Sequence, residues 1–595
     1  MLVDEAIARS RAFMRSGNAL EAARQLLAAL EQSNLSDREY EPVLEPLARA
    51  LESAGLARAA ATVWLFLRRP VELHNVSAEQ PKDLARGALI RDPADHRAAG
   101  ELYVTARWPA HAAIEFERAR DFVRARTLWD QVSSDPRLRE DPYVSALVSF
   151  NMGRAMASLG DDTGAHRCRV RAVRLLEEAA DVLEARGLRE RAFDCFHVLL
   201  ALGAETGSFE NLAEGYLNCI RILKADHLKY YAIQYYEHFV AKAETSGEHH
   251  AAATILHEAS EYARSLGMDF HGALRDREAQ CWQRAADGVL ASGGAPELAE
   301  NALLAAVGAY TSVGMHAHAV QLFRTLGSLP LDEKRTGRYK GLAVKFADAT
   351  DETLSVRSVP DYLKHTVQYP DIWNVDVIEW EEDGDAVETC GEMLLDREQP
   401  TFLRRRILLA RLVPLMSPTP TSSDVQSALA DRLGHVQLWS ALSPLEHLYE
   451  RGDVSVRAAV LRAARQLFFK RTFQIVQKAV VDPDASVRRE ATAAIQDLHF
   501  PHAFEPLQRL HRDSGDLDVR RAALESIGRI QSIEAVEYLI NVLATGSVDE
   551  RNAAKNLLAR SDYQETGRAL AAAIERETGE VQKTLLQVRR QRGDR

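Results

Sequence analysis

Asp453-Val454-Ser455-Val456-Arg457, Asp484-Ala485-Ser486-Val487-Arg488 and Asp516-Leu517-Asp518-Val519-Arg520 are one pattern written three times. The beat extends both ways. Gln426, Arg457, Arg488, Arg520, Arg551 and Gln582 follow one another at steps of 31, 31, 32, 31 and 31 residues. Four positions earlier stand Ser422, Asp453, Asp484, Asp516, Ser547 and Thr578. Each is a short oxygen-bearing side chain able to accept a free backbone N–H at a helix start. A second comb, Leu445, Val476, Leu507, Leu539 and Leu570, keeps the same steps. The one extra residue falls in the Ser514-Gly515 loop. Caps and apolar positions in phase at this period predict stacked helical hairpins.

These 31-residue units resemble HEAT repeats, specifically the short kind also found in phycobilisome lyases. The likeness covers about 420–590, closest at 453, 484 and 516 and degraded at 422, 547 and 578. The resemblance implies two antiparallel helices per repeat, with defined roles at three positions. Asp453, Asp484 and Asp516 would cap the second helix. Val456, Val487 and Val519 would be buried, and Arg457, Arg488 and Arg520 would bridge to a neighbouring repeat's turn. Terminal repeats face water on one side, so their motifs are expected to degrade. Arg404–Arg406 and the following Ile407, Leu408, Leu409 and Leu412 predict an entry helix, and Arg589–Arg595 a frayed tail.

Upstream, residues 1–345 read as helix after helix. A Gly with Ala five residues later recurs at Gly17/Ala22, Gly55/Ala60, Gly160/Ala165, Gly187/Ala192, Gly247/Ala252 and Gly314/Ala319. The Gly ends one helix in a left-handed turn and the Ala lets the next helix cross closely. Ala125 and Trp129 mark another copy with Arg120 in place of Gly. The pattern resembles the tetratricopeptide repeat (TPR), a 34-residue hairpin, with irregular spacing and some longer helices. A long hairpin stack like that of soluble NSF-attachment proteins is the alternative. The expected fold class is all-α: a two-part α-solenoid, with TPR-like hairpins over 1–345, an aromatic and acidic junction over 346–400, HEAT-like repeats over 401–588 and a basic tail over 589–595.

At 595 residues the chain exceeds one compact core. Its net charge is −12, unevenly shared: 29 basic and 24 acidic residues in 401–595 leave 45 and 62 in 1–400, balances of +5 and −17. Most motif arginines have a structural reading and regularly spaced stacking aromatics are absent. Nucleic-acid binding is therefore not the expectation. Five widely spaced cysteines without C-x-x-C predict reduced thiols and a cytoplasmic protein. The first twenty residues are too charged for a signal peptide, and no membrane span is expected. Arginine and alanine richness suggests a bacterial, GC-rich origin.

Three clusters could carry chemistry. Tyr230, Tyr231, Tyr235 and Tyr236 on one helix could form a peptide-binding patch, although packing between hairpins is the simpler reading. His249, His250 and His257, and His499, His502 and His511, complete no metal-ligand set. In the junction, Tyr362, Tyr369, Trp373 and Trp380 accompany Glu381, Glu382 and Asp383. The bland reading is a linker whose aromatics pack one array on the other; the functional one is a docking surface for a basic partner. No nucleotide-binding or nucleophile motif is present, and no cofactor is expected. The functional expectation is a non-catalytic scaffold or adaptor that binds protein partners. The alternatives are a HEAT-type enzyme (bilin lyase-like or nucleic-acid-processing) or a structural subunit of a larger assembly.

Overall fold

The computed structural model describes residues 3–32, 35–186, 188–351, 358–360, 363, 375–381 and 385–593. Among them there are helices and turns but no strand. The chain forms two compact units. One comprises Met1–Glu140, Leu147–Arg169 and Trp373–Arg595; the other comprises Asp141–Ala146 and Val170–Ile372. The units cut across the blocks expected from the sequence, because residues 1–140 belong with the HEAT-like part.

The physical reason is a shared core in the first unit. Leu26, Leu44, Leu51 and Trp64 of the early hairpins pack in one apolar cluster with Cys390, Leu394, Leu408 and Leu412. That cluster continues into Leu433, Leu445, Val456 and Val487 of the repeats. The TPR-like signature works as its chemistry requires. Ala22, Ala60 and Ala125 are fully buried at helix crossings. Gly55, past the end of the Asp37–Ser53 helix, has φ +74°, and Arg120 adopts φ +59° in its copy of that turn. Arg68, Arg107 and His227 take the same left-handed turn with no glycine to announce it. Two buried tryptophans tie second helices to first ones: Trp64 Nε1 donates to Glu52 at 2.6 Å and Trp129 Nε1 to Glu117 at 2.7 Å.

The HEAT-like part is six helix pairs, from Thr401–Leu415 with Ser423–Val436 to Thr566–Arg576 with Gly579–Arg592. Val456, Val487 and Val519 are buried, as are Leu445, Val476, Leu507, Leu539 and Leu570. Asp453, Asp484 and Asp516 each accept two backbone N–H groups at the starts of their helices. Ser547 forms a complete capping box with Glu550. Ser422 and Thr578 occupy the cap position without a side-chain cap bond. Degradation is thus confined to the outer caps. The helix Gly579–Arg592 runs through most of the tail expected to fray, because Arg592 is buried and donates to Leu558 O at 3.0 Å.

In the second unit the helices Arg189–Thr206, Phe209–Ala225, Lys229–Thr245 and His249–Ser265 begin every 20 residues. A hairpin therefore takes about 40 residues, longer than a 34-residue TPR. Ion pairs at that spacing join neighbours: Arg221 to Glu184 at 2.6 Å, Arg277 to Glu237 at 2.6 Å and Arg284 to Glu244 at 2.9 Å. Tyr230, Tyr235 and Tyr236 are buried. Tyr236 donates to Glu258 at 2.5 Å and Tyr216 stacks on Phe239, so these rings serve packing.

Candidate functional site

The short helix Val375–Glu381 lies at the centre of the expected docking region. Tyr362, Tyr369, Trp373, Glu382 and Asp383 lie outside the described residues. Trp380 and Glu381 are described, and they part company. Glu381 turns into the fold. Its carboxylate accepts the Ala110 N–H at 2.7 Å, the His111 N–H at 3.0 Å and lies 2.8 Å from His111 Nδ1. It thereby satisfies free donors at the start of the Pro109–Arg118 helix. Trp380 remains half-exposed and lies under the Arg137 guanidinium, 4.4 Å from it. A cavity of about 300 Å3 opens beside it, lined also by Arg107, Gln131, Val132 and Ser134.

The opposite side of this helix carries Glu379, a member of the junction's acidic cluster that is not at the surface. Glu379 is buried and accepts from Arg471 at 3.3 Å. Arg471 also donates to Glu446 at 3.1 Å, approaches Asp376 at 4.0 Å and lies over the Trp439 ring. Burial drives the Glu379 pKa up to about 7 against the opposing pull of Arg471.

The same unit holds a largely buried ionic seam. Arg86, in the Pro81–Leu89 helix, donates to Asp83 at 2.8 Å, to Glu388 at 2.6 Å and to Glu392 at 2.8 Å. Arg411 adds a bond to Asp83 at 2.7 Å, and Arg58 reaches Glu388. Tyr103 donates to Glu392 at 3.0 Å. Three carboxylates face three guanidiniums. Burial opposes the Glu388 charge, but Arg86 and Arg411 hold its pKa well below the ordinary carboxylate range. Gly391 is required here: a Cβ would stand 2.6 Å from the Arg86 guanidinium carbon, which its partners hold in place.

The motif arginines take different partners. Arg457 reaches forward to Asp482 at 2.9 Å, and Arg520 reaches forward to Glu550. Arg488 instead closes its own turn, donating to the carbonyls of Asp482 at 2.7 Å and Pro483 at 2.9 Å. Asp482 is the hub that the comb did not reveal. It also accepts from Tyr449 at 2.7 Å and from the Asp484 N–H at 2.9 Å. Its only sequence signal is the Asp-Pro-Asp run in one copy.

The histidines disperse. His511 lies 2.8 Å from Tyr538 Oη, and burial lowers its pKa. His499 lines an open hollow of about 520 Å3 with Phe468. His250 meets the edge of Trp282, and His257 faces Glu278 at 3.1 Å. Among the described residues no three His, Cys, Asp or Glu side chains are grouped to hold a metal. Nor is any helix among them long and apolar enough to cross a membrane.

Residues 472–559 match the family model of HEAT repeats. The matched segment holds three of the helix pairs described above, including the turns at Asp484, Asp516 and Ser547. No curated protein matches the chain. Solved structures align along nearly its whole length at low identity. The crystal structure of She4p shares 11% identity, covering 96% of this chain and 95% of that one, with a TM-score of 0.19. The structure of Naa15/Naa10 bound to HypK-THB shares 13%, covering 99% and 96%, with a TM-score of 0.17. A circular tandem repeat protein with novel repeat topology shares 13%, covering 99% and 98%, with a TM-score of 0.11. TM-scores at this level assign no residue of this chain to a residue of theirs.

Proposed function

We propose that this chain is a cytoplasmic, non-catalytic scaffold or adaptor that holds protein partners on its helical arrays. The observation that carries the reading is a row of large apolar side chains on one edge of the HEAT-like stack. Val454, Leu517 and Val548 directly follow the caps Asp453, Asp516 and Ser547, and they are 40%, 73% and 64% exposed. Val481, in the turn before Asp484, is 78% exposed. A single exposed Leu needs no explanation, but a row at the repeat spacing is a surface suited to another protein. The charged motif side chains nearby are occupied within the stack, so they set its shape and leave recognition to this row and to Trp380. All five cysteines are buried, as befits thiols kept in a reducing compartment.

The test is affinity purification of the full chain from its native cell, beside a Val481→Ser, Leu517→Ser and Val548→Ser variant. These positions are exposed, so the fold is expected to survive. The wild type is expected to retain a reproducible set of proteins that the variant loses. An identical set on both would remove this edge as the recognition surface.

A further inference from the structure

The helix Glu333–Lys345 packs on the His316–Leu326 helix through Tyr339 and Ala343, and its opposite face has an unusual make-up. It carries five basic residues and one acidic one, although the chain as a whole is acidic. Arg335 is committed to Glu300 at 3.0 Å and to its cap Asp332 at 3.0 Å. Lys334, Arg338 and Lys345 are exposed and have no carboxylate partner among the described residues. At 100° per residue these three share one flank of the outer face. Val344, 78% exposed, occupies the other flank beside Glu333 and the exposed Lys340, and Phe346, 45% exposed, follows the helix end.

Between the flanks lie Gly337 and Gly341. A Cβ on either would meet nothing within 4 Å, and neither has the left-handed backbone that calls for glycine. Glycine inside a helix is destabilising relative to alanine. Neither backbone geometry nor a crowded neighbour among the described residues accounts for the pair. Together they leave a shallow trough along the helix, where another backbone could approach closely.

We infer that this face, with cations on one flank, an apolar side chain on the other and an open trough between, docks an acidic amphipathic helix of a partner protein. The partner's glutamates or aspartates would meet Lys334, Arg338 and Lys345, while its apolar side chains cover Val344 and Phe346. The inference rests on the scaffold reading and names a second surface for it. Three cations beside exposed apolar side chains suit such a helix better than a phosphate backbone, which calls for a longer basic track.

The probe is a fluorescent 21-residue synthetic helix with glutamate along one face and leucine along the other, titrated with the full chain by anisotropy. A lysine-for-glutamate copy of the peptide is the control. The acidic peptide is expected to bind and the basic copy not to. Affinity is expected to fall about tenfold in Lys334→Glu, Arg338→Glu, Lys345→Glu, and about tenfold in Gly337→Leu, Gly341→Leu. The glycine variant keeps every charge and raises helix propensity, so its melting temperature is expected to hold or rise. Absent binding of the acidic peptide by the wild type overturns the inference, as does unchanged binding in both variants. Loss by charge reversal alone, or a 20-base-pair DNA duplex with the same dependence, overturns it too, because the face would then be a general anion surface. Native affinity purification separates this from the broader reading. Unchanged partners on both variants remove only this face; a wild type that retains no protein at all removes the scaffold itself.

Discussion

The ionic seam at Arg86 and the HEAT-like stack beyond it belong to one compact unit, and they are held together by opposite means. The stack buries valine and leucine on a fixed period and places the carboxylates of its motif, Asp453, Asp484 and Asp516, on backbone N–H groups at helix starts. The seam buries its charges and pairs them across the chain, Arg86 with Glu388 and Arg411 with Asp83. An apolar comb accommodates a swap between apolar side chains of similar volume at one tooth. A closed set of buried charges has no such latitude, because each removal strands another charge in a medium that cannot solvate it.

Arg86→Ala sets that contrast at its widest. Asp83, Glu388 and Glu392 would be left short of one guanidinium, and the expected loss is about 3–5 kcal/mol. Thermal unfolding of the full chain reads it. A melting temperature within a degree of wild type would mean that the seam is no more than decoration on the apolar core. Gly391→Val is expected to act in the same direction by displacing the guanidinium.

The Glu379 carboxyl extends the contrast into pH. Its folded pKa stands near 7, above its ordinary value of 4.5. Between those values the folded chain holds a proton that the unfolded chain releases. Stability therefore falls as pH rises from about 4.5 to 7, and the penalty is complete above 7, on the order of 3 kcal/mol. Glu379→Gln carries no such proton. Plotted against pH, the melting temperature of wild type minus that of Glu379→Gln is expected to decline through this window. A flat difference would place water or a cation at the buried carboxylate.

Much of the stack was legible in the sequence, and the seam was not, for a physical reason. A comb repeats, so each position is supported by copies 31 residues away. Ion pairs such as Arg86 with Glu388 or Arg58 with Glu388 join residues about 300 apart and occur once. Their trace is local: Arg411 interrupts the apolar run 407–413, and Arg86 follows Leu84 and Ala85. A charge inside an apolar run calls for a buried partner without saying which. The same limit hid the burial of Glu379 and, inside the stack, the role of Asp482. In the junction, Trp380 and Glu381 stand together as docking candidates in the sequence; Trp380 is half-buried, whereas Glu381 beside it serves as a helix cap.

Asp482 is where the stack borrows the seam's device, and it ranks the arginines around it. Asp482→Ala leaves Tyr449 without its acceptor and Arg457 with only the Gly452 carbonyl, and is expected to cost about 2 kcal/mol. Arg488→Ala removes bonds to two carbonyls of its own turn, one of them beside exposed Pro483, where water can replace it. About 1 kcal/mol is expected there. Chemical denaturation of the full chain gives the order. A larger loss at Arg488 would restore a repeat-to-repeat role for that side chain.

The smallest effect tests whether the comb is uniform along its length. Asp516 accepts the N–H groups of Asp518 at 2.8 Å and Val519 at 3.3 Å, while Thr578 at the same phase has no side-chain cap bond. Asp516→Ala is expected to cost about 1 kcal/mol and Thr578→Ala only a few tenths. The physical ground is position. An inner repeat is stacked on both sides, so its helix start is fixed well enough for an oxygen to be held against two N–H groups. Among the described residues the Gly579–Arg592 helix is stacked on one side only, and Gly579 follows the cap with φ +68°, turning the chain away from the geometry in which Thr578 would bond. Equal losses at the two sites, read by hydrogen exchange at the first turn of each helix, would mean that the threonine caps in solution and that the terminal repeat is as well formed as the inner ones.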